Sequence, residues 1–575
     1  MHLPFLLAAA GLAASQQTVV GIIPVVGLKT GVDPVTKQPP PRLNLNDLRN
    51  SGPAWDLYIQ GLASFQRVPE YDERSFFRVG GIHGRPYIPY NGVAPVPGAP
   101  VDQGYCIHDE IIFATWHRPY VVLFEQLLSE HIHTIAAQYT GPEAVLYTQA
   151  ADSWRQPYWD WAIDRALPDV VTSLNLTINT PNGTVTIPNP LLQYRFQTFP
   201  LNDTLFPLDC DFGIAKYPTS VRCPDPWTNK SNEDMASSYV GAVDLAAQVY
   251  NVYTRINTFE CMASTAYDGT SFEDQHNEIH VALGCIHPPG HMANLVYSGY
   301  DPVFMLHHAA IDRHVALWQA IHYNNSMFNT TYTSTVGAYA TAAGTNITND
   351  SPLKPFYADA KGTFHTSESV KDVRDLGYTY PELLGQNNMT KEELRRRVIS
   401  VVNRLYSNST TAGVQKRTEG GREGKEYFVN IKVDKGEVKD LPAILNILVG
   451  ERLAGRFVLP QIPSQGVVYT EISLGHALEA AKLASLDTKT VIPFLEREMR
   501  WELKQVRIPF HLCCVDFRLT RQYNGTLIPL SAIPSPEIQV LDQHVILPNT
   551  TDELPVYGKA TFWPSITERV EARSA

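Results

Sequence analysis

Residues 407–426 (SNSTTAGVQKRTEGGREGKE) hold a single large apolar side chain, Val414. Such a segment cannot bury enough surface to offset the entropy of ordering it. The chain must therefore close one core before it and another after it. Upstream, 122–137 and 235–258 carry the 3.6-residue periodicity of helices, whereas 166–234 is dense in Pro, Asn and Thr and is expected to be mostly loop. The run TKEELRRRVISVVNRL at 390–405 reads as a helix opened by a capping box of Thr390 and Glu393. Downstream, 427–433, 443–449 and 510–519 are rich in β-branched, aromatic and other apolar residues and read as strands. The expected order is an extended arm at 16–42, a mainly α domain with long loops at 43–406, the linker at 407–426, and a smaller mainly β domain at 427–575.

Residues 1–15, MHLPFLLAAAGLAAS, join a minimal n-region to an apolar stretch and small residues, the pattern of a secretory signal peptide. Twelve Asn-x-Ser/Thr sequons agree with secretion: Asn175, Asn182, Asn202, Asn229, Asn324, Asn329, Asn346, Asn349, Asn388, Asn408, Asn524 and Asn549. A net charge of −12 offers no basic face to nucleic acid or an anionic membrane. No later segment is apolar for long enough to span a bilayer. Seven cysteines is an odd count for an oxidising compartment. The spacing suggests one bridge between Cys210 and Cys223, which flank a Pro-rich loop, and a second between Cys261 and Cys285.

Two groups of histidines carry the chemistry. In the first, His83 is followed by His108 and His117. The last two are nine residues apart, half a revolution out of phase on one helix, so one must precede the helix that carries the other. In the second, His276 and His280 stand four apart on one helical face. Glu273, His276, Asn277 and His280 fall within an arc of about 100°. Asp301 and Pro302 then open a helix, as N-cap and first residue, that delivers His307 and His308 among apolar neighbours. Imidazole-only ligation by two trios suits copper, whereas a binuclear zinc hydrolase would want bridging carboxylates.

Several motifs together resemble the type-3 copper proteins, and within them the fungal tyrosinases, over about residues 40–405. They are Cys106-Ile107-His108, then Trp116-His117-Arg118-Pro119-Tyr120 with Phe124-Glu125, and the strip at 276–280. Asp301-Pro302-Val303-Phe304 with His307-His308 and Asp312-Arg313 continues the pattern, as do residues 362–367 and the Tyr-Thr-Tyr at 378–380. The resemblance implies a helical bundle around two copper ions, with dioxygen as co-substrate. The first copper would take His83, His108 and His117. The second would take His276, His280 and His308, which stands four residues before Asp312, with His307 as a neighbour. Ala114 stands where the family has a larger apolar residue, a departure that touches packing only.

The same resemblance implies a copper-dependent phenol oxidase acting on small phenolic substrates. It would ortho-hydroxylate monophenols and oxidise catechols to o-quinones, feeding melanin-like pigment. Glu273 and Asn277 would hold the water that takes a monophenol's proton, Leu295 would gate the second copper, and a Cys106–His108 thioether would absorb the odd cysteine. The C-terminal domain would be a lid released by a cut at Lys416-Arg417, with an aromatic plug for which Phe510 is the candidate. Cys513 and Cys514 are adjacent, unlike the spaced pair that delivers copper in some relatives. The alternatives are a catechol or o-aminophenol oxidase with little action on monophenols, and a haemocyanin-like oxygen carrier.

Overall fold

The computed structural model describes residues 21–208, 210–286, 288–407, 423–438, 441–505, 526–528 and 536–574. Its larger unit is helical. The elements that matter for the site are α1 (Pro53–Phe65), α2 (Phe113–Ala136), α3 (Leu245–Arg255), α4 (Phe272–Gly284), α5 (Val303–Ile321) and α6 (Lys391–Tyr406). Every side chain of α4 is buried, and nearly all of α5, so both run through the middle of the domain. A helix apolar or buried all round is a core helix.

A buried charge network ties this core together. Asp312 on α5 accepts from Arg118 Nε on α2 at 2.6 Å and from Arg42 at 3.2 Å. Tyr378 and Tyr380 both donate to Asp312 Oδ2 at 2.6 Å, and Arg42 reaches on to Glu125 at 2.9 Å. Four elements distant in sequence thus share one set of paired charges, as buried ions require. The arm before α1 is packed rather than loose: Ile23 and Val25 are buried, and Pro24 and Pro41 bridge to Tyr357 and Thr379.

Several expectations are corrected. The helix expected at 122–137 begins at Phe113, with Pro119 inside it masking the start in sequence. The helix expected at 235–258 is two, Glu233–Val240 and α3, because Gly241 ends the first and the Asp244 side chain caps the second. The stretch expected to be mostly loop contains a hairpin, β1 (Asn175–Thr180) with β2 (Gly183–Pro188), turning at Pro181-Asn182. Its faces are largely exposed, so it leaves little alternating apolar signal. The pairings Cys210–Cys223 and Cys261–Cys285 are wrong: Cys223 is joined to Cys285. The fold lays Cys223 along the end of α4, its N–H donating to Leu283 O, and so brings it to Cys285 rather than to its neighbour in sequence. The capping box of α6 is present, with Thr390 N–H donating to Glu393 Oε2 at 2.7 Å.

The smaller unit is a sandwich of two four-stranded antiparallel sheets. It is built from β3 (Glu423–Asp434), β4 (Ala443–Val449), β5 (Arg452–Leu459), β6 (Val467–Ser473), β7 (Met499–Gln505), β8 (Thr526–Ile528), β9 (Glu537–Ile546) and β10 (Val556–Phe562). Strand order is β8-β7-β4-β5 in one sheet and β10-β9-β3-β6 in the other. Tyr427, Val429, Ile431 and Val433 alternate inward and share a core with Leu445, Ile447, Phe457 and Leu459. The linker's last four residues belong to β3. The strand expected at 510–519, the signal-like segment, Lys416, Arg417, Phe510, Cys513 and Cys514 lie outside the described residues.

The sandwich docks on the side of α4 that faces away from the helical core. Thr470 Oγ1 donates to Asp274 at 2.5 Å, Arg456 pairs with Glu278, and Arg255 pairs with Glu471 at 2.5 Å. Val281 packs against Ile444 and Val458.

Candidate metal centre

Four chain segments bring seven imidazoles to one place. His83 follows a short helix (Phe76–Gly80), in a loop pinned by close backbone contacts. A Cβ on Gly104 would lie 2.3 Å from His83 O, and one on Gly84 would lie 2.2 Å from Val296 O. Neither position admits a side chain. His108 lies in the loop before α2, and His117 in the second turn of α2. α4 carries His276 and His280, and α5 carries His307 and His308. Pro302 already has helical dihedrals and Asp301 Oδ1 accepts Val303 N–H at 3.0 Å, which caps α5 from the side chain of Asp301.

The rings form two triads facing each other. His83, His108 and His117 have centroids 5.3 to 5.6 Å apart. His276, His280 and His308 have centroids 4.4 to 5.8 Å apart. Across the gap, His117 stacks on His308 at 4.5 Å and His108 on His276 at 5.5 Å. Within each group the candidate ligand atoms lie within 4.8 Å of one another, and His307 belongs to the second group by that measure. Ring contacts separate the adjacent pair: His308 touches His117 and His83 of the first triad, whereas His307 touches His276, His280 and Trp161 and no ring of the first triad among the described residues.

Hydrogen bonding orients these rings. Nδ1 of His83 is held by Leu295 O at 2.7 Å, that of His117 by Phe113 O at 2.8 Å, and that of His280 by Met292 O at 2.7 Å. His276 Nδ1 meets Asn277 Oδ1 at 3.0 Å. With Nδ1 donating, the Nε2 of each of these four rings presents a lone pair, while Nδ1 of His108 and of His308 has no partner among the described residues. All six Nε2 atoms are buried and have no partner among the described residues. A buried polar atom left so is costly, and six converging ones ask for a cation. Burial, chiefly, holds the imidazoles of His117 and His280 down to about 3 and about 4. It drives His83, His108, His276 and His308 well below the ordinary range, reinforced by neighbouring imidazoles. Neutral rings with free Nε2 lone pairs are what copper binds, so the donor set fits two copper ions.

Glu273 is buried beside this site. It does not cap its own helix, since Ser271 does that. Its two oxygens accept the N–H of Asp109 at 2.6 Å and of Thr265 at 2.9 Å. Burial first, then the Asp109 carboxylate, raises its pKa well above the usual carboxylate range. Leu295 is buried but outside the main apolar cluster. Cys106 is a buried thiol two residues before His108, and neither ring nitrogen of His108 has a partner among the described residues.

Sequence reasoning missed two aromatic buttresses. Phe304 packs on His308 at 4.1 Å and on His83 at 4.9 Å, and Phe113 packs on His117 and His276 at 4.8 Å. Phe304 lies inside a motif already singled out, so its signal was available. Lys435, which reaches this region from the sandwich, had none.

Comparison with known proteins agrees. The model of the common central domain of tyrosinase matches residues 73–321. The chain is 34% identical to a tyrosinase of Podospora anserina, covering 69% of this chain and 72% of that one. It is 33% identical to a tyrosinase of Neurospora crassa, covering 65% of this chain and 56% of that protein, so it spans little more than half of the latter. Among solved structures, mushroom tyrosinase in coexistent latent and active forms superposes with a TM-score of 0.77 at 24% identity, covering 94% of this chain and 98% of that one. That likeness speaks for the fold, across both the helical unit and the sandwich.

Proposed function

The chain belongs to the tyrosinase family of type-3 copper oxidoreductases, and from that premise we propose that it is a secreted phenol oxidase that ortho-hydroxylates monophenols and oxidises catechols to o-quinones, feeding melanin-like pigment. The observation that carries this reading is the set of six buried, unpartnered Nε2 atoms in two facing triads. His83, His108 and His117 would hold one copper, and His276, His280 and His308 the other, with His307 beside them. When bound, the copper pair supplies the reduction of dioxygen and accepts the electrons of the phenol.

The protein's own groups orient the substrate and move its proton. Glu273, with Asn277 one helical turn on, would position a water that takes the phenolic proton of a monophenol. Leu295 would present an apolar wall to the aromatic ring. A thioether between Cys106 and His108 would fix the one triad ring that lacks both an Nδ1 partner and a close stacking phenyl group. Its formation would remove one hydrogen from sulfur and one from the ring carbon, both passing to dioxygen, which leaves as hydrogen peroxide.

Exposure supports the secretory reading. Of the ten described sequon asparagines, all but the half-buried Asn349 are exposed. No helix among the described residues is long and apolar enough to cross a membrane. The docking of the sandwich against α4 supports a lid that is released by a cut after Arg417. Oxygen uptake on tyrosine and on its catechol counterpart tests the function. Uptake on both, with a lag on tyrosine, is expected; uptake on the catechol alone would leave a catechol or o-aminophenol oxidase.

A further inference from the structure

Asp109 follows the candidate ligand His108 directly, and its carboxylate is shared between the two domains. Oδ1 accepts from Thr265 Oγ1 at 2.7 Å. Oδ2 accepts from Lys435 Nζ at 2.8 Å, and Lys435, from the turn after β3, is fully buried in that contact. Glu273 lies against the same place, its Oε1 held by Asp109 N–H. Glu110, the next acid, is turned away and bonded to Tyr332 and Ser334. The Asp109 carboxylate, with the Glu273 carboxyl held against its own N–H, therefore meets one ammonium beside the histidine cluster, and that ammonium is lent by the domain outside it. Beside it, Tyr469 N–H donates to Thr265 O at 2.7 Å and Thr470 Oγ1 donates to Asp274 at 2.5 Å. The charge demand belongs to the helical domain, and Lys435 meets it only while the sandwich is docked.

We propose that Asp109 is a specificity-determining residue that takes the ammonium group of a phenolic amine, and that Lys435 occupies this subsite as an internal mimic of the substrate's cationic tail. The inference rests on the phenol oxidase reading for the identity of the ring, and on the Lys435 contact for the charge. A buried carboxylate selects strongly for a cation and against an anion, because an unpaired or like charge there is costly. Copper adds positive charge on the imidazole side, whereas the contact at Asp109 is direct. Phenols with an aminoethyl tail would then be preferred over those with a carboxyethyl tail of similar size.

The test uses the copper-loaded full chain carrying Lys435→Ala, which vacates the subsite, and the same chain with Asp109→Asn added. Asp109 has a φ of 55°, a left-handed conformation that Asn tolerates well, so the second change keeps shape and backbone while removing charge. The probes are phenethylamine and 3-phenylpropionate, neither of which has a hydroxyl to oxidise, titrated by calorimetry. Lys435→Ala is expected to bind the amine at least about tenfold tighter than the acid, and adding Asp109→Asn should abolish the difference. Equal affinities in Lys435→Ala, or a preference that survives Asp109→Asn, would overturn the proposal. Lys435→Ser, which also vacates the subsite, gives the same reading should the alanine variant fail to fold. Dopamine against 3,4-dihydroxyphenylpropionate in oxygen uptake should show the same order. If neither is oxidised by any form, the oxidase reading fails while the binding result still decides the role of Asp109.

Discussion

Arg118 donates to Asp312 at 2.6 Å with both side chains buried, so the residue after His117 is bolted to the residue four beyond His308. Ligands of both triads are thereby held on α2 and α5 in fixed relation before any metal arrives. Arg42, Tyr378 and Tyr380 complete the same network.

Asp312→Ala should cost about 3–5 kcal/mol, because it strands two buried guanidinium groups. An unfolding free energy lowered by that amount in a urea titration would agree; a change near zero would not. Burial pushes the Asp312 pKa upward, but Arg118 and Arg42 outweigh it and hold the carboxyl below its ordinary value. Its contribution is therefore fully present above the unfolded value of about 3.9 and is lost as pH falls through the folded value. Wild-type stability should decline below about pH 4 more steeply than that of Asp312→Ala.

Cys106 should be found joined to His108. A peptide spanning both, lighter by two hydrogens and refractory to alkylation in denaturant, is the expected mass-spectrometric result. A Cys106 that alkylates freely would exclude the bridge.

Glu273→Gln should slow monophenol hydroxylation about 10²-fold while leaving catechol oxidation little changed, since only the monophenol needs an auxiliary base. Equal slowing of both substrates would leave Glu273 as a structural anchor for Asp109 and Thr265.

The motif-bearing helices were legible in the sequence because their signals are local. The i, i+4 histidines, the Asp301-Pro302 start and the Thr390 capping box each act within two turns. The failures are non-local. Cys223 finds Cys285 only because α4 ends beside it, which no spacing rule reports. The hairpin at 175–188 is exposed on both faces, so burial never imposed an alternating pattern. Lys435 is one of three lysines between 432 and 439 in a β-rich stretch, and nothing in its neighbours predicts Asp109 as partner.

Cutting the linker after Arg417 should raise activity on bulky phenols at unchanged copper content, since the sandwich grips α4 through Thr470, Arg456 and Val458 beside the site. Oxygen uptake before and after limited proteolysis measures this. Equal rates would make the sandwich a stabilising domain and not a lid.

The central claim is that two triads of imidazoles each hold one copper and together run the oxidase chemistry. Copper per chain, measured by atomic absorption alongside catechol oxidation, tests it most directly. The copper-loaded protein should contain about two copper ions, and His280→Ala or His308→Ala about one, with nearly all activity lost, because three imidazoles per metal leave no spare ligand. Full copper content with full activity in either variant would contradict the account.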